Sequence, residues 1–214
     1  MNKEVLAWNN KKNLKMVVND LKEGGVILGT SDTVFGLLAM VNDKAVAALN
    51  KLKGRAEKPY IVLIGDKSRI LDFTGALVPA IQSLVANCWP GPLTLILEAK
   101  EGLPAYARGT KGTVALRVPS HAGLLVLLQD IPALFSTSAN KAGSPVPGCL
   151  ADVDPEIVRQ VSAIILDHDA HAGCTSVVPS TIIDCTGPRL KVVREGAYAI
   201  DTLEAIAGQK FLRS

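Results

Sequence analysis

The chain has 214 residues, 48% of them hydrophobic, and carries 23 Lys and Arg against 20 Asp and Glu for a formal charge of +3. That apolar content suits a buried globular core and excludes a disordered chain, while so small a charge does not announce a nucleic-acid-binding domain. The longest apolar runs, such as residues 124–128, fall far short of the roughly 20 residues that cross a bilayer, so no membrane span is expected.

Near the N-terminus, Trp8, Asn9, Asn10, Lys11 and Lys12 replace the apolar stretch of a secretory signal, and a cytoplasmic protein is expected. Leu14, Val17, Val18 and Leu21 recur at helical spacing until Gly24 and Gly25, and a strand is predicted over 26–28. Asp43 is a candidate cap for a second helix through Val46, Leu49 and Leu52, stopped at Gly54 and followed by a buried strand over 61–64. Strands are predicted over 93–97 and 114–118, a helix over 121–129, and a strand over 133–136. The segment 141–148, with two prolines and two glycines, reads as an active-site loop. Asp154-Pro155 starts another helix, and the last strands are predicted over 164–166, 181–184 and 190–193.

Strands alternating with helices imply an α/β fold, and some links are too short for a crossover helix, so the sheet is expected to be twisted and mixed parallel/antiparallel. One domain over 1–214 is the simplest reading. Cys88, Cys149, Cys174 and Cys185 are irregularly spaced, which suits reduced thiols better than disulfides or a C-x-x-C metal site. His168, His171 and Cys174 have metal-like spacing but no fourth ligand, so a polar loop is expected there and no metal. Trp8 and Trp89 read as packing anchors.

The common phosphate-loop, dinucleotide and nucleophile-elbow motifs are absent. Basic residues cluster instead as Lys51, Lys53, Arg55 and Lys58, and as Arg108, Lys111 and Arg117, either a solvated surface or a polyphosphate site. Lys53-Gly54-Arg55 ends a predicted helix, where both side chains are expected to reach the sheet edge without entering the core. Ser136-Thr137-Ser138-Ala139-Asn140 follows a predicted strand. A compact ammonium, a planar guanidinium fork and nearby hydroxyl and amide donors are the groups that hold phosphate oxygens.

With its K-x-R and S-x-N tetrad of Lys53, Arg55, Ser138 and Asn140, the chain resembles the YrdC/TsaC family. The resemblance runs over 25–196, through Ser31-Asp32-Thr33-Val34-Phe35-Gly36-Leu37, Trp89-Pro90-Gly91-Pro92-Leu93-Thr94, Ala115-Leu116-Arg117-Val118-Pro119, Pro179-Ser180-Thr181-Ile182-Ile183-Asp184 and Val193-Arg194-Glu195-Gly196. It implies a twisted α/β sheet with a basic concave face, leaving 197–214 as a C-terminal helix or cap. It also implies an enzyme that joins L-threonine, bicarbonate and ATP into threonylcarbamoyl-adenylate, for transfer to adenosine 37 of tRNA by a separate transferase complex. By this resemblance Lys53, Arg55, Thr113, Ser138, Asn140 and Arg194 would hold ATP, and Ser31, Arg117, Ser136 and Ser180 would hold threonine. The tetrad would be catalytic, and magnesium would enter with the nucleotide. Where the family usually has Tyr-Pro-Thr this chain has Gly29-Thr30-Ser31, which keeps a hydroxyl without its methyl. The alternatives are a catalytically altered YciO-like paralogue or an RNA-binding module of the same fold.

Overall fold

The computed structural model describes residues 4–54, 59–109, 111–167 and 178–213. In chain order the elements are β1 (Val5–Ala7), α1 (Lys11–Lys22), β2 (Val26–Gly29), β3 (Gly36–Met40), α2 (Asp43–Lys53), β4 (Ile61–Ile64), α3 (Pro79–Cys88) and β5 (Leu93–Glu98). They continue with β6 (Thr113–Arg117), α4 (Ala122–Asp130), β7 (Ala133–Ser138), α5 (Pro155–Gln160), β8 (Ala163–Leu166), β9 (Thr181–Asp184), β10 (Lys191–Arg194) and α6 (Ile200–Ala207).

Among the described residues ten strands form one sheet in the order β1-β8-β2-β3-β7-β4-β6-β5-β9-β10. The mixed character expected from the short links is present: β8 lies parallel to β1 and β2, β4 to β6, and β5 to β9. The pairs β2/β3, β3/β7, β4/β7, β5/β6 and β9/β10 are antiparallel.

The central strands read as unbroken apolar runs because both their faces are buried. One face packs Leu28, Leu37, Val62, Leu116 and Phe135 against Leu49 of α2, Leu84 of α3 and Leu203 of α6. The residues between them, Ile27, Leu38, Leu63 and Leu134, turn to the other face and meet Val17 and Leu21 of α1 and Leu124 and Leu127 of α4. Trp8 is 5% exposed and Trp89 3%, so both are packing anchors as expected. Their indole N–H groups donate to Thr30 Oγ1 at 2.8 Å and to the Leu93 carbonyl at 2.7 Å.

Asp43 does not cap α2. Asn42 does, its Oδ1 accepting from Ala45 N at 2.8 Å, and Asp43 is the first helical residue, where its charge complements the helix dipole. At the other end Gly54 stops the helix as expected, with a left-handed φ of 60°, and Lys53 is the last helical residue.

Gly196 is required by a close approach of backbones. A Cβ there would stand 2.3 Å from the Pro179 carbonyl oxygen and 2.6 Å from Thr181 N. Gly196→Ala is therefore expected to destabilise the fold by about 1–3 kcal/mol, the usual cost of overpacking. Thermal melting measures this, and an unchanged melting temperature would show that this turn moves aside without cost.

Candidate active site

The second core does not extend across the whole sheet. The pairing registers set Ser136 opposite Leu38 and Arg117 opposite Leu63, so both polar residues lie on the face carrying that core. Ile182 pairs with Thr94 further along the sheet. A cavity of about 550 Å³ opens here, lined by Ser31, Thr33, Lys53, Arg117, Ser136, Ser138, Asn140, Ser180, Ile182 and Arg194, among others. Five of the six motifs of the sequence thus contribute to one concavity.

Arg117, at the end of β6, is 5% exposed and anchored on three sides. Its Nε donates to the Gly91 carbonyl at 3.0 Å and its Nη1 to Thr33 Oγ1 at 3.0 Å, while Nη2 lies 2.5 Å from Asp32 Oδ2. That last contact is an ion pair rather than an aligned hydrogen bond, for Nη2 and Asp32 Oδ1 are both buried without a hydrogen-bond partner. Ser120 completes the cluster by donating its backbone N–H and its hydroxyl to Asp32 Oδ2 at 2.9 and 2.8 Å. Burial alone would raise the Asp32 carboxyl, but the Arg117 charge and the Ser120 hydrogen bonds outweigh it and hold the group below the ordinary carboxylate range. Burial pulls the Arg117 guanidinium down while Asp32 pulls it up, and it stays charged.

Arg194 enters from β10 at a register shift between Val192 and Arg194 that sets it opposite Ile182. An irregularity of this kind re-aims a side chain beside a site. Its Nε and Nη2 donate to the Ser180 carbonyl at 3.0 and 2.8 Å, and Nη2 reaches Ser180 Oγ at 3.1 Å. Burial, and then the nearby Arg117 charge, lower its affinity for its proton, so two guanidiniums share one region. Such a region attracts anions.

Lys53 corrects the expectation of a side chain outside the core: it is 3% exposed. Its ammonium donates to the Ser138 carbonyl at 2.7 Å, to the Asn140 carbonyl and to Asn140 Oδ1 at 3.2 Å. Ser138 Oγ donates to Asn140 Oδ1 at 2.5 Å, and Asn140 Nδ2 donates to the carbonyls of Lys141 and Ser144 at 3.1 and 2.5 Å. Lys53, Ser138 and Asn140 are thus brought together, and they shape the start of the loop over 141–148, three of whose residues line the cavity. Arg55, and with it the second charge of K-x-R, lies outside the described residues, as do His168, His171 and Cys174. Thr113 is not among the lining residues. It stands at the start of β6, where a Cβ on Gly109 would meet Thr113 Oγ1 at 3.1 Å and the rim residue Pro59 at 3.4 Å.

The hydroxyls differ in what they have left to offer. Ser31 Oγ donates to the Val34 carbonyl at 2.8 Å and accepts from two backbone N–H groups, and Ser180 Oγ is 2.8 Å from Thr94 Oγ1. Ser136 Oγ, by contrast, has no hydrogen bond among the described residues and faces the cavity. Ser136→Ala is therefore expected to weaken ligand binding by about 0.5–1.5 kcal/mol with melting unchanged. Ser180→Ala should lower the melting temperature, because it strips partners from Thr94 and Arg194. Calorimetric titration beside thermal melting separates the two, and equal melting losses would refute the distinction.

Asp32, Thr33, Gly91, Thr94 and Ser120 were not singled out from the sequence as site residues. An acidic residue flanked by hydroxyls in an otherwise apolar stretch was the available signal for Asp32; Gly91 acts through its backbone carbonyl, and Ser120 through both its N–H and its hydroxyl.

Fold and cavity together define an α/β protein with a mixed sheet and a cationic, hydroxyl-lined pocket for anionic ligands. The chain belongs to the Sua5/YciO/YrdC family, described as "Telomere recombination", whose profile matches residues 19–196. A threonylcarbamoyl-AMP synthase of Pyrococcus abyssi is 29% identical over 200 residues, covering 92% of this chain and 57% of that protein. A second, from Thiobacillus denitrificans, is 35% identical over 175 residues, covering 80% of this chain and 90% of that protein. The crystal structure of P. abyssi Sua5 complexed with L-threonine superposes with a TM-score of 0.86 at 26% identity, over 98% of this chain and 62% of that one. The chain therefore spans little more than half of the Pyrococcus relative.

Proposed function

We propose that this protein is a threonylcarbamoyl-AMP synthase, an ATP-using enzyme that makes L-threonylcarbamoyladenylate for modification of tRNA position 37. The observation that carries the reading is the convergence of Arg117, Arg194 and Lys53 on one cavity whose described lining residues include no carboxylate. Such a pocket suits a reaction whose partners all carry negative groups: the threonine carboxylate, bicarbonate and the phosphates of ATP. L-Threonine and bicarbonate lose water to give a carbamate, a carbamate oxygen attacks the α-phosphorus of ATP, and pyrophosphate departs. In this reading Arg117, Ser136, Ser31 and Ser180 hold threonine, with Ser31 and Ser180 acting through the turns and partners they organise. Lys53, Ser138, Asn140 and Arg194 hold the nucleotide, joined by Arg55 and Thr113 on the strength of sequence. The described lining residues offer no carboxylate cage, so magnesium travels on the nucleotide's phosphates. No covalent nucleophile is needed, and burial pushes the Cys185 thiol up to about 12, away from reactivity.

We read residues 1–214 as one domain acting in the cytoplasm and passing its adenylate to a tRNA-modifying transferase. The test is mass spectrometry of the product formed from ATP, bicarbonate and a mixture of amino acids. Threonylcarbamoyl-AMP is the expected product; its absence, with the fold intact, would overturn the reading.

A further inference from the structure

Asp32 touches the cavity only through Arg117. Its carboxylate lies behind the guanidinium, held by the ion pair to Nη2 and by two hydrogen bonds from Ser120, and it is not among the lining residues. Arg194, on the same cavity, is bonded to neutral oxygens of Ser180, and among the described residues no carboxylate pairs with it. The two described guanidiniums of the site are therefore unlike in charge balance: among the described residues Arg117 comes with a counter-charge and Arg194 does not.

We propose that Asp32 is a specificity-determining residue, which holds Arg117 in place and neutralises it so that Arg117 receives a singly charged carboxylate while polyphosphate is drawn to Arg194. The inference rests on the reading of Arg117 as the amino-acid ligand. Its physical basis is Coulombic. A unit negative charge in contact with a guanidinium offsets most of the field that would attract a multiply charged anion, and the effect grows with the ligand's own charge. A carboxylate loses one charge's worth of attraction, a pyrophosphate several, so the counter-charge discriminates between them. Ser120 keeps Asp32 ionised by stabilising the carboxylate with two donors.

The test uses calorimetric titration of the whole chain with L-threonine and with inorganic pyrophosphate, separately and together. In the parent the two should bind without excluding each other. Asp32→Asn preserves the shape but removes the charge, and it should tighten pyrophosphate binding by about tenfold or more and make pyrophosphate displace threonine. Unchanged pyrophosphate affinity with simultaneous binding in this variant would overturn the proposal, and a residue that merely supports the fold would not tighten any ligand.

Asp32→Asn leaves Arg117 buried without its partner and so carries a risk of misfolding. The pair variant Asp32→Asn/Arg117→Gln removes both charges. It should lose threonine binding while pyrophosphate affinity stays within about twofold of the parent, as expected if a paired guanidinium contributes little field. A tenfold loss of pyrophosphate affinity in the pair variant would mean that Arg117 serves the polyphosphate, and the proposal would fail. A parent that binds pyrophosphate but no threonine would sink the functional reading instead, while the pair variant would still decide what Arg117 serves.

Discussion

Replacing Lys53 by alanine is expected to lower adenylate formation by about 10² to 10³, the scale of losing one preorganised donor at a charged transition state, and to lower the melting temperature as well. The second effect follows from burial. The ammonium is the donor shared by the Ser138 carbonyl, the Asn140 carbonyl and Asn140 Oδ1, and without it these acceptors stay behind in a site that is 3% exposed. An acceptor stranded in this way costs about 1–3 kcal/mol. In a chain of this size each kcal/mol lowers the melting temperature by roughly 2–4 °C. Lys53→Arg should fail to rescue either property, because a planar fork cannot aim its donors at three converging oxygens as an ammonium does. ATP affinity, pyrophosphate release and melting, measured on both variants, check this. Parental turnover and melting in Lys53→Ala would remove Lys53 from the site.

Arg117→Ala is expected to cost about 3–5 kcal/mol at neutral pH, since it leaves Asp32 as an uncompensated buried carboxylate. The pH dependence should also change sign. In the parent, the folded-state pKa of Asp32 lies below its unfolded value, so the group contributes stability that is present above the unfolded pKa and is lost as acid protonates the folded form. Without Arg117, desolvation dominates and the folded pKa rises above the unfolded one. The variant's deficit should then be largest at neutral pH and shrink as the pH is lowered, as the stranded carboxylate takes up a proton. Urea unfolding of parent and variant at neutral and at mildly acidic pH measures it. A deficit independent of pH would show that Asp32 is not the group responsible.

Most of the sheet was legible in the chain because strands such as β4, an apolar run, and β9, a β-branched Thr-Ile-Ile followed by Asp, are short and bounded by turns, and their predicted and observed limits coincide. β3 was not. Its sequence, Gly-Leu-Leu-Ala-Met, has no alternation and no β-branched residue, and it is a strand because β2 and β7 flank it. α3 was overlooked although Ile81, Leu84, Val85 and Cys88 follow helical spacing. Within the site, residue types pointed to Lys53, to the segment 136–140 and to Arg117 within a basic cluster, whereas Arg194 was legible only through the family resemblance. Whether each side chain is free or already committed was illegible. The difference between Ser136 and Ser31, or the burial of Lys53, depends on partners that the fold brings from elsewhere.

Those partners lie far apart along the chain. Lys53 bonds to residues 85 and 87 positions later, Arg117 to Thr33 across 84, and Thr94 to Ser180 across 86. Closing such contacts is slow, because distant strands must meet before any pairing rewards the lost chain entropy. During synthesis the first half can therefore form helices and hairpins but no pocket: the lysine waits for β7, and the cationic face lacks Arg194 until the last strand has left the ribosome. A chain cut short before that strand would keep Lys53, Ser138 and Asn140 but lack Arg194, so anion binding reports on closure of the sheet as far as β10.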